Sequence, residues 1–239
     1  YYKALDRLRA AFPEVVWENC SSGGLRIDLG MLRHTDFTFL SDPDWPEHTL
    51  QLFWGASTML APDAMLRWTF SDWLGTHPEQ TFKPHDPNLK QHQLDYYVRI
   101  AMLGVLGMSQ KLSDLPDWVR ARYVEHIALY KTRLRRFVRE ADLYRLTEQP
   151  KRYAGERWAA FQFAMPDDSE HLVYVFRLPN SAAQRRIQLR ALDPDARYAI
   201  EWLSEGAAVE ATGAALMNEG LLFDALEERD SALFVVRRK

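Results

Sequence analysis

Asp42 closes the stretch Phe39-Leu40-Ser41-Asp42, and just upstream lies a tight run, Cys20-Ser21-Ser22-Gly23-Gly24-Leu25-Arg26-Ile27-Asp28, approached from Val15-Val16-Trp17. A carboxyl, a thiol and a guanidinium on neighbouring turn-prone tips are groups that could act together on one substrate. Two apolar strands, each ending in a polar tip and joined by a short connection, must position them. That is how a (β/α) barrel builds its active-site rim, where residues at the C-terminal ends of the strands carry the reaction. A nucleophilic Cys20 would need a histidine partner, and neither His34 nor His48 can be placed beside it from the sequence. A lone cysteine is otherwise an inert buried thiol. Asp42 has a plainer reading as well, as a cap for the helix that begins after Pro43.

The order of residues narrows the choice. Glu18-Asn19-Cys20-Ser21-Ser22-Gly23-Gly24, then Arg26, Asp28, Gly30-Met31-Leu32, Thr35 and Ser41-Asp42, resembles the signature of the glycoside hydrolase family 36 α-galactosidases. A Ser-Gly-Gly alone would carry nothing; the length and order of the stretch carry the likeness, and layout extends it along most of the chain. The resemblance implies part of a retaining α-galactosidase-like hydrolase, cleaving terminal α-linked galactosides in oligosaccharides, with Asp42 as the acid/base. Retaining glycosidases use two carboxyl groups about 5–5.5 Å apart, one a nucleophile and the other an acid that later turns base. The acid must keep its proton near neutral pH, which asks for an apolar surround and a nearby carboxylate. Phe39, Trp45 and Trp54 could supply the apolar part.

The resemblance further implies that Cys20 and Gly23 shape the 2-hydroxyl side of a galactose pocket. Arg26 either orients sugar hydroxyls or pairs with Asp28. The family's nucleophile stands upstream in a Lys-x-Asp setting, and no such motif occurs in this chain. Asp28, Asp36 and Asp44 are weak substitutes. The chain by itself is therefore expected to lack glycosidase activity, its partner being the missing N-terminal part of the same enzyme. Small changes at Cys20–Gly23 would suit an α-N-acetylgalactosaminidase or a galactosyl-transferring relative. Three departures stand out: Leu25 replaces a third glycine, Phe39 stands where Trp is more typical, and Pro43-Asp44-Trp45 replaces a polar Asn-Thr-Asp continuation. The resemblance therefore does not carry over the leaving-group subsite.

Composition sets the outer bounds. At 239 residues and 47% hydrophobic, the chain can bury a sizeable core in two domains. A net charge of −3 argues against nucleic acid, since Arg133, Arg135, Arg136 and Arg139 lie among Glu125, Glu140 and Asp142. The single cysteine excludes an intrachain disulfide. The apolar run Ile100–Met108 is far short of the roughly 20 residues that span a bilayer, so no membrane partner is expected. No secretory leader is visible at Tyr1, which favours the cytoplasm, although the chain opens inside a helical pattern with no cap. His77, His85 and His92 fit no common zinc spacing. No metal or cofactor is implied, and a homo-oligomer stays open.

Periodicity then orders the elements. A helix ends at Pro13, Glu14–Asn19 reads as a buried strand, Phe37–Leu40 as a second and Met65–Phe70 as a third, its tip carrying Trp68, Ser71, Asp72 and Trp73. The long polar stretch Gly75–Asn88 reads as a rim loop or lid. A helix Gln91–Tyr97 leads into a last strand, Arg99–Met108, and a long helix Asp117–Ala141 follows with Ile127, Tyr130, Leu134, Phe137, Val138 and Ala141 as its apolar stripe. After Gln149-Pro150-Lys151 the period falls towards two, in Phe161–Met165, Leu172–Leu178, Ile187–Ala191 and Tyr198–Trp202. The expected fold is α/β: the C-terminal half of a (β/α)8 TIM-type barrel over residues 1–149, followed by an antiparallel β-sandwich domain over 150–239. A rival function puts the activity in that second domain as a non-catalytic carbohydrate-binding module, with Trp158 and Trp202 as candidate contacts, although both fit the inward pattern of a core.

Overall fold

Helix and strand alternate through the first 108 residues, and the strands line up side by side. The computed structural model describes residues 1–21, 23–42, 46–69, 83–151, 154–203 and 208–239. Helix α1 (Tyr2–Ala11) leads to strand β1 (Glu18–Asn19), a short helix α2 (Leu29–Leu32) and strand β2 (Phe37–Phe39). Helix α3 (Pro46–Ala56), strand β3 (Met65–Thr69), helix α4 (Gln91–Ala101) and strand β4 (Val105–Met108) follow. The four strands form a parallel sheet in the order β1-β2-β3-β4. Glu18 faces Phe37, Phe39 faces Leu66, and Trp68 faces Gly107. Parallel neighbours joined by crossover helices are the repeating unit of a barrel wall.

Two boundaries differ from the periodicity reading. The expected strand Arg99–Met108 is helical through Ala101, and only Val105–Met108 pairs. The unbroken apolar run there has no period that separates a buried helix end from a buried strand. Tertiary partners decide it: from the helix, the buried Arg99 guanidinium donates to Ser231 O (2.6 Å) and Oγ (3.1 Å) and lies 3.7 Å from Asp95 one turn back. The expected buried strand Glu14–Asn19 shrinks to Glu18–Asn19, with Val15 and Val16 exposed. Among the described residues β1 pairs with β2 over Glu18–Asn19 only.

The long helix runs as α5 (Asp117–Leu129), a π turn at Tyr130–Leu134, and α6 (Arg135–Glu140). The extra residue per turn keeps Tyr130, Leu134, Phe137 and Val138 on the buried side. Tyr130 donates to Gly104 O (2.8 Å), pinning the helix beside the start of β4.

The remaining chain is antiparallel. Strands β5 (Asp142–Arg145), β8 (Trp158–Ala164), β9 (Glu170–Arg177), β11 (Arg197–Trp202), β12 (Val209–Thr212) and β14 (Asp230–Arg238) form one sheet in the order β12-β11-β14-β9-β8-β5. The sheet thus takes its edge strand β5 from ahead of the change of period at residue 150. Strands β10 (Arg185–Ile187) and β13 (Leu221–Phe223), with helix α7 (Gly213–Asn218), make a smaller second layer, and β6 (Pro150–Lys151) pairs with β7 (Ala154–Gly155). Both faces of the large sheet are covered. Phe161, Phe163, Tyr174 and Phe176 pack towards the barrel helices, while Trp158, Val173, Val175 and Phe234 pack under the second layer. Strand β14, in the middle of this sheet, escapes the period-two reading because Ala232–Val236 is apolar on both faces. Ile187–Ala191 ends early: β10 stops at Ile187, and Ala191 takes a left-handed φ of 53°.

Candidate active site

The Cys20 turn and the Ser41-Asp42 tip lie side by side at the C-terminal ends of β1 and β2. The buried Asn19 is the fastener. Its Nδ2 donates to Arg26 O (2.8 Å), closing the turn on itself, and to Thr38 Oγ1 (2.8 Å) on the next strand. Leu25 N–H returns to Ser21 O (3.2 Å), and a bridge joins Ser21 to Gly24. Gly23 turns the chain with φ +71°, and a Cβ built there would lie 3.1 Å from Ser41 Cα and 3.4 Å from Asp42 N. Glycine is needed twice, for the left-handed backbone and for this approach. Two tips separated in sequence are thereby packed backbone to backbone.

Asp42 itself is exposed, and its side chain has no hydrogen-bond partner among the described residues. Helix α3 starts at Pro46, four residues beyond Asp42. Phe39 is buried just below the tip. Trp54 is not part of the surround: its indole N–H donates to Thr147 O (3.0 Å) and Arg145 lies over its ring, which ties it to the far end of α3. Trp45 and Asp44 lie outside the described residues, as do Ser71, Asp72, Trp73, His77 and residues 75–82 of the expected lid.

Cys20 is exposed at the rim, so it is not the inert buried thiol of the plainer reading. His34 is no partner for it; the ring stacks on Tyr2 (5.0 Å) and faces Asp6 (3.2 Å). Arg26 does not close on Asp28. Its guanidinium lies over the Tyr1 ring (5.2 Å) and donates to Tyr1 OH (3.2 Å). Asp28 is the N-cap of α2, accepting from Met31 N (2.9 Å) and from Tyr2 OH (3.0 Å), and the Met31 bond leads in holding its carboxyl below the usual range. Asp36 accepts from Trp17 N (2.7 Å) and pairs with Arg9 (3.2 Å). Both carboxylates are thus held by partners within the chain. His85 is exposed and His92 faces Glu227 (3.8 Å).

Along β3, alternation sends side chains to two faces. Arg67 turns to the helices, where Nη2 donates to Thr49 O (3.3 Å) and burial pushes its pKa down to about 9. Trp68 turns the other way, onto the face shared with Phe39 and Gly107. The sequence singles Trp68 out only as part of a tip that matches no motif. In the second domain Trp158 is fully buried and donates to Ala182 O (3.2 Å), and Trp202 packs on Phe234 (4.8 Å).

Residues 1–140 match the Melibiase family model, and residues 158–236 match the model of the glycosyl hydrolase family 36 C-terminal domain. The probable α-galactosidase C of Aspergillus terreus is 29% identical over 227 residues, covering 93% of this chain and 27% of that protein. α-Galactosidase C of Emericella nidulans is 29% identical over 244 residues, covering 100% of this chain and 29% of its own length. The α-galactosidase AgaB from Geobacillus stearothermophilus has the same fold at a TM-score of 0.83 and 26% identity, over 100% of this chain and 30% of that one. A variant of AgaA from the same organism, in complex with stachyose, gives a TM-score of 0.82 at 26% identity, over 100% and 31%. The chain thus spans under a third of the length of the relatives it matches. With a half-barrel wall and a β-rich C-terminal domain each matched by its own family model, the chain belongs to the melibiases of glycoside hydrolase family 36.

Proposed function

We propose that this chain is part of a retaining α-galactosidase-like hydrolase that cleaves terminal α-linked galactosides, oligosaccharides such as stachyose among them. Residues 1–149 are the second half of its catalytic barrel and residues 150–239 its C-terminal domain, to which the barrel side lends β5. Asp42 acts as the acid/base. The nucleophile is a carboxylate on polypeptide outside this chain, so the chain alone is inactive. In the first step Asp42 gives its proton to the glycosidic oxygen while the C1–O bond breaks and the nucleophile bonds to C1. In the second it takes a proton from water, whose oxygen joins C1 as the glycosyl–enzyme bond breaks. Cys20, Gly23 and Arg26 shape the pocket for the galactosyl ring.

One observation carries this reading: the Gly23 turn packs against Ser41-Asp42 at the ends of adjacent parallel strands, within 3.4 Å of a Cβ built on the glycine. A carboxyl group and a glycine turn then share one rim. The test is Asp42→Ala in the whole open reading frame that carries this chain. Loss of general acid catalysis should cut kcat/KM on natural galactosides by about 10²–10⁴. The loss on aryl galactosides with good leaving groups should be milder, because these need little protonation. Activity equal to that of the unsubstituted enzyme on both substrates would remove Asp42 from the mechanism.

A further inference from the structure

The second domain holds a buried imidazole that the proposed chemistry leaves unused. His171 of β9 and Gln162 of β8 are fully buried at one end of a sheet face whose other members, among them Trp158, Val173, Val175 and Val236, are apolar. Gln162 Oε1 accepts from Arg190 N (2.9 Å) and Nε2 donates to Arg190 O (2.6 Å), so the backbone fixes which way the amide points. The second Nε2 hydrogen then meets His171 Nδ1 at 3.1 Å. That nitrogen must accept, so the ring is neutral and its proton sits on Nε2, which donates to Asp168 Oδ1 (2.7 Å). The other carboxylate oxygen accepts from Tyr198 OH (2.7 Å) and from Arg238 Nη1 (2.9 Å). Tyr198 OH in turn accepts from Asp193 N (2.9 Å), and Arg238 Nη2 pairs with the Asp193 carboxylate (2.5 Å). Residues 188–196 join β10 to β11 and bond to α7, with Leu189 N donating to Leu216 O (3.0 Å) and Ala214 N to Pro194 O (3.0 Å). The same residues are fastened to the sheet at Arg190 and at Asp193. Both fastenings lead to His171, one through Gln162 and the other through Tyr198 and Asp168.

We propose that this cluster is an acid-sensitive latch, in which a proton taken up at His171 Nδ1 releases residues 188–196 from the sheet. The added N–H would point at the Gln162 amide hydrogens, two donors with no acceptor between them. Turning the amide over gives no escape, because Oε1 would then face Arg190 O and Nε2 would face Arg190 N–H. A buried donor left unpaired is costly, so the charged ring is accommodated when the segment lifts and water enters. The charged groups around the ring are Asp168 and Asp167 in the turn before β9, Arg238 on β14 and Asp193 in the segment itself. Burial is the largest influence and outweighs the pull of Asp168 and Asp167, holding the imidazole pKa below its ordinary value. With the folded-state value below the unfolded one, the closed latch contributes fully above about pH 6.5 and is lost as the pH falls through the folded-state value.

Hydrogen exchange followed by mass spectrometry, on the whole open reading frame that carries this chain, reads the segment directly. From about pH 7.5 to about pH 5, the protection of residues 188–196, corrected for the intrinsic rate, should fall about tenfold, as a proton favours the open form. Protection of β9 should hold over the same interval. His171→Gln keeps a donor for Asp168 but cannot take up a proton, so its segment should show the same protection at both pH values. Gln162→Glu offers an acceptor to Nδ1–H, and its segment should be better protected at the lower pH, the reverse of the wild type. Unchanged protection in the wild type would overturn the latch, and that measurement stands even if a variant does not fold. So would an equal loss in His171→Gln, or an equal loss along β9, the mark of the whole sheet opening.

Discussion

Gly23 is the residue on which the site's geometry turns. Its φ of +71° is left-handed, and its Cα face meets the backbone of Ser41 and Asp42. An alanine there would carry about 1–2 kcal/mol of backbone strain and would push on the Asp42 strand end. Gly23→Ala is therefore expected to lower the unfolding free energy by that amount and to cut kcat/KM at least about tenfold, because a displaced catalytic group loses far more rate than stability. Denaturant unfolding and steady-state kinetics of the whole enzyme read the two effects independently. The glycine and the acid were legible as parts of one ordered motif. That they touch was not, because Gly23 and Ser41 are eighteen positions apart and the contact depends on the parallel pairing of Glu18 with Phe37 and Asn19 with Thr38. Asn19 was legible as a motif position only; its two hydrogen bonds need both strands in place.

At the scale of elements, α4 joins the barrel wall to the antiparallel sheet through a buried ionic cluster. Asp95 accepts from Arg122 Nε (2.6 Å) and Nη2 (2.7 Å) and from His126 Nε2 (2.8 Å), while Arg99 reaches across to Ser231 on β14. Burial alone would raise the Asp95 carboxyl, but the bonds from His126 and Arg122 hold it well below the ordinary range. His126 is pushed down by burial, so it donates to Asp95 as a neutral ring. Both folded-state values lie below the unfolded ones, so their stabilising contribution is present above the unfolded values and is lost on acidification. The loss begins below about pH 6.5 for His126 and below about pH 4 for Asp95. Asp95→Asn leaves buried cations without their carboxylate and should cost about 3–5 kcal/mol at pH 7. Thermal unfolding from pH 7 to 3 should show the wild type converging on the variant in acid; parallel curves would deny Asp95 this role.

For the whole molecule, the large sheet is a shared wall. The face bearing Phe161, Phe163, Tyr174 and Phe176 belongs to the same core as Leu50, Phe53, Leu94, Tyr96 and Phe137 of the barrel helices. Arg157 on the sheet side pairs with Glu47 of α3 (2.7 Å), and Arg145 on β5 donates to Ser57 O (2.8 Å). A chain cut to residues 1–149 loses that face and also the partner strand of β5. It is expected to bind a hydrophobic dye and to melt without a cooperative transition, as a chain does when its core side chains have no opposing layer. A sharp two-state melt of residues 1–149 would show that the barrel wall stands without the sheet.

The sequence alone determined the classes of element and the motif at the rim. Local forces suffice for these: Pro13 stops a helix, an apolar stripe at helical spacing marks Asp117–Ala141 as helix, and Cys20–Asp28 is too rich in Ser and Gly for regular structure. Tertiary structure decided what local pattern leaves degenerate. Ile100–Met108 and Ala232–Val236 are apolar throughout, and only their neighbours made the first a helix end with a short strand and the second the middle of a sheet. The packing of Trp68 has the same cause behind it: an indole laid between Phe39 and a side-chain-free position at Gly107 depends on the residues of adjacent strands, which no periodicity along one strand contains.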